Sequence, residues 1–158
     1  MPNKKAIDFI INKILPNVKK QNIKLVLTGN HKKKFNNQDI LNFGFVSMNQ
    51  LKYLQRKSIC LIVPLFEGFG TRIKILESLI LGNRVISTSK GIEGINFEKN
   101  NNIIISNNLK NIVGGILKFS KLKKKVKYNS KNLIKFSMKE NTKKLYKFSM
   151  EEMISSNR

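Results

Sequence analysis

The sequence predicts an α/β domain with a doubly wound parallel sheet, on three observations. Short β-branched runs alternate with amphipathic segments of helical period. The run Ile59–Pro64 is apolar throughout, as expected of a parallel strand covered on both faces. The 158 residues carry no internal repeat and no flexible linker, so they have room for one ordinary domain.

Taken in order, Ile7, Ile10, Ile11 and Ile14 recur at the spacing of a helix stripe, and Pro16–Asn17 is expected to end or kink that helix near Leu15. Ile23–Thr28 reads as a strand stopped by a Gly29–Asn30 turn, and the basic stretch His31–Gln38 as a surface loop. Asp39–Val46 holds a second short strand broken at Gly44. Met48–Lys57 is a short helix with Leu51 and Leu54 facing inward. Ile59–Pro64 is the third strand. A helix over Thr71–Leu81 should bury Ile73, Leu76 and Ile80 and stop at Gly82–Asn83. Val85–Thr88 and Ile103–Ile105 are further strands. Asn108 is placed to cap a helix carrying Leu109, Ile112, Val113 and Ile116, although its Gly114–Gly115 pair weakens helix propensity. From Leu122 the chain is basic and helical in pattern, with Leu133, Phe136, Leu145 and Phe148 as inward positions.

Composition excludes several chemistries. One cysteine, Cys60, permits no intrachain disulfide or cysteine-based metal site and reads as a small buried hydrophobe. His31 is the sole histidine, which argues against a zinc site or a Ser-His-Asp triad. No apolar run approaches the ~20 residues that span a bilayer, and the N-terminus lacks the pattern of a signal peptide. A soluble, cytoplasmic chain is expected. The net charge of +22 has two competing sources, selection for a polyanion and a Lys-, Asn- and Ile-rich composition of the kind an A+T-rich coding sequence produces. Cations cluster at Lys32–Lys34 and Lys121–Lys127, leaving the stretch from Asp39 to Leu109 better balanced.

That balanced middle holds the candidate site. In such sheets, ligands bind beyond the carboxyl ends of the strands. There Gly68 and Gly70 directly precede a helix whose first amides are free to meet phosphate oxygens, with Arg72 and Lys74 beside them. Glu77, further along the helix, can accept hydrogen bonds from a ribose diol. The same residues also fit a plain turn with solvated helix charges, Glu77 pairing with a neighbouring cation. The spacing is neither a Walker A loop nor a dinucleotide fingerprint.

The stretch PLFEGFGTRIKILESLILGNRVISTSKGIEGI resembles the donor-binding segment of family-4, GT-B-fold glycosyltransferases, which carry P-L-x-x-G-x-G-T-R-x-K-I-L-E followed by G-x-P-V-V-S-T and G-x-E-G-L. Upstream, PNKKAIDFIINKILP, IKLVLTGN and NFGFV resemble the first helix, next strand and following strand end of that family's C-terminal domain, in the same order. The likeness covers nearly all of Met1 to Ser106 and implies one Rossmann-like half of a GT-B enzyme, with C-terminal helices completing residues 1–158.

By this resemblance Glu77 holds the nucleotide ribose, while Gly68, Phe69, Gly70 and Thr71 form the loop against the donor's sugar and phosphates. Gly29, Phe45 and Val46 lie where the base is held. Arg72 and Lys74 match cationic positions that stabilise the departing diphosphate, and Glu67 is the third residue placed at the chemistry. The family takes a nucleotide sugar, here UDP- or GDP-linked, generally retains anomeric configuration, and needs no bound metal or further cofactor.

Three departures stand out. The family's paired glutamates follow E-x7-E, but Glu67 precedes Glu77 by two residues too many and Phe69 occupies the strict position, so Glu67 fits only with a shifted loop. Asn83–Arg84 replaces a pair that usually ends in proline. By this resemblance the chain is expected to start just after the domain's usual first strand and glycine turn, without the acceptor domain. These departures are those of a gene fragment, a split enzyme with its acceptor domain on a partner chain, or an inactive remnant. A peripheral contact with the inner face of the membrane is a further expectation for the chain. The alternative is a basic non-enzymatic protein that binds nucleic acid or an anionic surface through Lys121–Lys127, although no nucleic-acid motif is present.

Overall fold

The computed structural model describes residues 2–30, 35–68, 72–95 and 101–122. Helix α1 (Pro2–Phe9) passes through a π-turn (Ile10–Ile14) into α2 (Leu15–Val18) and a 3-10 turn (Lys19–Gln21). Strands β1 (Leu25–Leu27) and β2 (Ile40–Asn42) follow, then α3 (Met48–Lys57), β3 (Leu61–Val63), α4 (Ile73–Ile80), β4 (Val85–Ser87), a 3-10 turn (Lys90–Ile92), β5 (Ile103–Ile105) and α5 (Leu109–Ser120). The α/β class and the parallel strands are as the sequence predicts.

The sheet itself is divided. β1 and β2 form one parallel pair, while β3, β4 and β5 form a three-stranded parallel sheet in that order. β4 is central, with Val85, Ile86 and Ser87 all buried. Its alternating side chains serve opposite layers. Val85 packs with Val63, Ile75, Leu76 and Leu79, whereas Ile86 packs with Ile14, Ile112, Ile116 and Phe119. Helices on both faces of one sheet are what doubly wound means physically. Each of these large side chains contributes about 1.5–3 kcal/mol on full burial.

Several local expectations change. The first helix does not stop at Pro16. The Leu15 N–H bonds Ile10 O, five residues back, and this π register precedes the proline, which falls within the first turn of α2. There the missing amide costs least. In α4 the buried face is Ile75, Leu76, Ser78 and Leu79, while Ile73 is 41% exposed and Ile80 half-buried. The buried face is thus rotated from the stripe of Ile73, Leu76 and Ile80 that the sequence predicts, sharing only Leu76 with it. Ile59, Cys60, Leu61 and Ile62 are only half-buried, because β3 is an edge strand. Leu51 and Leu54 are likewise half-buried and face a cleft.

Caps and turns explain the boundaries. Ser47 and Gln50 form a reciprocal capping box on α3. Asn108 Oδ1 accepts from the amides of Lys110 and Asn111 at 2.8 and 3.3 Å, as expected of an N-cap. α4 ends in a Schellman turn: Gly82 has φ +71°, its N–H bonds Leu79 O, and the Asn83 N–H bonds Ser78 O. Asn83 Nδ2 also reaches Ser58 Oγ at 3.0 Å. Arg84 is buried with its guanidinium 5.6 Å from the Phe119 ring centre, a contact that holds this strand entrance without a proline.

Helix α5 runs through both of its glycines. A Cβ at Gly115 would stand 2.8 Å from Ile104 Cδ1, so glycine lets α5 approach the sheet closely; Gly114 faces open space. The positions Phe69, Gly70, Thr71, His31, Lys32–Lys34, Leu133, Phe136, Leu145 and Phe148, and all of Lys121–Lys127 beyond Leu122, lie outside the described residues.

Two substitutions test this packing. Gly114→Ala should stabilise the protein by about 0.5–1 kcal/mol through reduced unfolded-state freedom and better helix propensity. Phe119→Ala, which empties a fully buried site, should cost about 3–5 kcal/mol. Urea midpoints at constant m-value read both.

Candidate functional site

The candidate site lies at the carboxyl ends of β3 and β4. A hydrogen-bonded crest joins the two strand ends. Ser87 Oγ donates to Val63 O at 3.1 Å, Thr88 Oγ1 donates to Leu65 O, and the Gly91 N–H donates to Thr88 Oγ1 at 3.0 Å. A Cβ at Gly91 would run into Ser87 Oγ and the Val63 carbonyl, which explains the glycine. The Ser-Thr pair after a β-branched strand therefore secures the turn that leads to the loop. Sequence reasoning quoted these residues as part of a motif but gave them no role.

Helix α1 holds the other side of that loop. The Phe9 and Phe66 rings meet edge to face at 5.1 Å between centres, and Lys5 Nζ lies 2.9 Å from Glu67 Oε1. Both members of the ion pair are exposed, so the bridge contributes at most about 1 kcal/mol. Its effect is positional. Glu67 is turned toward α1, a partner that sequence reasoning missed because the two residues lie 62 positions apart.

Gly68 takes φ +103°, a backbone that glycine adopts readily. Its carbonyl accepts from Arg72 Nη2 at 3.2 Å, which brings the guanidinium back across the loop. Phe69, Gly70 and Thr71 complete that loop in sequence but are outside the described residues.

The start of α4 is electropositive for three concurrent reasons. Arg72, at the N-cap position, makes no side-chain capping bond, so amides of the first turn have no such acceptor. No acidic residue occupies that turn, and Lys74 does. The helix dipole adds its positive end. Lys74 has ample exposed surface, yet desolvation of its ammonium, followed by repulsion from Arg72, pulls its pKa below the ordinary lysine value.

Glu77 stands one helical turn beyond Lys74, half-buried. Among the described residues it forms no ion pair, with either Arg72 or Lys74. Glu77 and Lys74 line a cavity of about 620 Å³ together with Thr28, Val63, Pro64 and Leu65. The structure thus brings Lys74 and Glu77 to a cavity that also reaches the end of β1. Such a volume is within the usual range for small-molecule sites.

The remaining expected positions sit on the β1–β2 side. Gly29 (φ +100°) donates its N–H to Gly44 O at 2.6 Å, tying the two strand ends together. Phe45 is 82% exposed and Val46 half-buried on the same connection. Neither lines the cavity in this structure. Chemically, the arrangement offers cations and helix amides to an anion, and an acceptor carboxylate to hydroxyl groups.

The sequence model of a family described as glycosyl transferases group 1 matches residues 1–121. That span contains every one of these site positions. No curated protein matches the chain significantly.

Two outcomes follow for the site. Gly91→Ala should destabilise by about 1–3 kcal/mol, the cost of overpacking a tight backbone approach, read from the urea midpoint. Lys74 is less basic folded than unfolded, so the unfolded state binds more protons between the two pKa values. Its contribution opposes folding at neutral pH and fades as pH rises toward the ordinary lysine value. Lys74→Met should therefore raise the melting temperature at pH 7, and raise it less in alkaline buffer. An equal gain at both pH values would contradict the sign.

Proposed function

The chain belongs to the glycosyl transferases group 1 family, and from that premise we propose that it supplies the donor-binding half of a family-4, GT-B-fold enzyme. One observation supports this reading above the others. Glu77 is half-buried without an ionic partner among the described residues, in the same cavity as Lys74 and just beyond the uncapped start of α4. A carboxylate that only balanced local charge would pair with the cations next to it. This one is left to accept hydrogen bonds from hydroxyls.

In this reading the ligand is a nucleotide sugar, UDP- or GDP-linked. Its ribose hydroxyls donate to Glu77, and its diphosphate meets Lys74, Arg72 and the first amides of α4. Gly68, with Phe69, Gly70 and Thr71, lets the backbone approach the sugar and phosphates. The nucleobase rests toward Gly29, Phe45 and Val46, where the exposed Phe45 ring offers a stacking surface.

The chemical step breaks the bond between the anomeric carbon and a phosphate oxygen, and the bonding electrons leave on the diphosphate. Arg72 and Lys74 face the charge that develops there. Preorganised cations of this kind lower the barrier because they interact more strongly with the departing anion than with the intact donor. An anion beside Lys74 also restores its basicity, so binding should take up protons where Lys74 is partly deprotonated, below the ordinary lysine value. Glu67, which pairs with Lys5 and does not line the cavity, would turn toward the sugar once released from Lys5. The reaction proceeds with retention and without a bound metal. The acceptor is presented by the other half of such an enzyme.

UDP or GDP should raise the melting temperature of the full chain. At a hundredfold excess over Kd, the stabilisation is about 2.7 kcal/mol. Glu77→Ala should abolish the shift, and Lys74→Met should weaken binding about tenfold, the loss of one charge-assisted contact of ~1.5 kcal/mol. No shift with either nucleotide at millimolar concentration would count against the proposal.

A further inference from the structure

We infer that the pole of the domain opposite the candidate site, where helices end and strands begin, is a docking surface for an anionic phospholipid bilayer. The inference stands apart from nucleotide binding and rests on where the fold places charge. Three contacts define the pole. Lys5 and Phe9 of α1 meet Glu67 and Phe66 beyond the carboxyl end of β3, so the far end of the same helical segment, the turn Lys19–Gln21, lies at the opposite pole. Ser58, the C-cap of α3, is bonded to Asn83 in the turn before β4. Phe119, in the last turn of α5, has the Arg84 guanidinium over its ring at the entrance of β4.

Each of these helix ends carries two exposed cations: Lys19 and Lys20 on the first, Arg56 and Lys57 on α3, Lys118 and Lys121 on α5. Lys24, exposed just before β1, adds another. Against them stands the half-buried Asp39, whose carbonyl accepts from the Leu25 N–H at the start of β1. The other carboxylates of the described residues, Asp8, Glu67, Glu77 and Glu93, sit on the elements around the candidate site. Charge is thus polarised along the strand direction. Helix dipoles do not account for it, because one helix end carries about half a unit of negative charge and a single lysine more than balances it. At 1.5 Å per residue, Lys110 and Lys121 at the two ends of α5 are roughly 16 Å apart. That is twice the Debye length of ~8 Å in physiological salt. A surface touching the pole therefore feels its cations and little of the acids near the site.

Three features favour a bilayer over a nucleic acid. Apart from Arg56 the cations are lysines, point charges suited to a fluid headgroup layer rather than the guanidinium forks that read nucleic acids. Tyr53, one turn before Lys57, has the Lys57 ammonium over its ring at 5.7 Å, so that face is not open to stack on a base. Leu122 follows Lys121 and is 46% exposed, an apolar side chain able to enter the headgroup boundary. Each lysine close to an anionic surface contributes about fivefold to partitioning. Docked this way, the domain holds the carboxyl ends of its strands, and the candidate site with them, away from the bilayer.

The test is sedimentation of the full chain with vesicles of phosphatidylcholine alone or mixed with phosphatidylglycerol. The chain should bind the mixed vesicles and not the neutral ones, and binding should fall steeply as sodium chloride is raised. Two triple variants remove the same charge from different places. Lys20→Gln, Lys118→Gln and Lys121→Gln together, at the pole, should weaken vesicle binding on the order of a hundredfold. Lys13→Gln, Lys52→Gln and Lys110→Gln together, away from it, should leave binding near that of the parent chain. Melting temperatures check that both triples are folded. If the pole triple melts early, its three single variants, each expected to lose about fivefold, carry the same test. Three results would overturn the inference: no preference for anionic vesicles, equal losses in the two triples, or undiminished vesicle binding by the pole triple. Equal losses would mean attraction by net charge alone. Undiminished vesicle binding with loss of single-stranded RNA binding would make the pole a nucleic-acid surface instead. Nucleotide binding is not the readout, so the donor-site proposal and this one can fail separately.

Discussion

Everything in this domain hangs on β4. Among the described residues it is the one strand paired on both edges and covered on both faces, and three successive residues, Val85, Ile86 and Ser87, are buried in it. That constraint explains the layers on either side. It also explains why the turn before β4 is so firmly built, with Gly82 in the left-handed region, Asn83 bonded to both the helix end and Ser58, and Arg84 lying over Phe119. A strand committed on four sides tolerates no slip in register, because shifting by one residue would exchange the α4 face with the α5 face.

The site inherits its geometry from the same strand. Ser87 and Thr88 hold the carbonyls of Val63 and Leu65, so the chain leaves β3 at a fixed height and direction. α4 then begins with two cations, no side-chain cap and no acid. This is a locally unfavourable arrangement, visible in the lowered basicity of Lys74. The folded core bears that cost, which an anionic ligand would relieve. Local conflict set on a well-satisfied scaffold is the usual form of a binding site.

Much of this was legible in the sequence. Short apolar and β-branched runs mark the five strands of the described residues, and Asn108 and Gly82–Asn83 mark helix ends through local chemistry that needs no tertiary information. The group 1 glycosyl transferase match extends over the span from which the family resemblance was drawn. What remained hidden depended on distant residues. The division of the sheet could not be seen, because the side-chain pattern of an edge strand such as β3 does not reveal a missing neighbour. Glu67 is expected at the chemistry by resemblance, whereas its partner in the described structure is Lys5 on α1, 62 positions away. The π-turn is hidden in the sequence because Ile7, Ile10, Ile11 and Ile14, three of them inside the turn, keep the spacing of a regular helix stripe.

That π-turn bears on how the chain can vary. A π-turn is an α-helix with one extra residue looped into it. Residues before and after it keep the faces they would have in a regular helix one residue shorter. Ala6 on one side and Val18 on the other are both buried, each against its own part of the core. A homologue lacking one residue within Ile10–Ile14 could therefore run an uninterrupted α-helix and still present both ends correctly. This segment, rather than the surface loops alone, is a place where the domain can absorb a single-residue change in length.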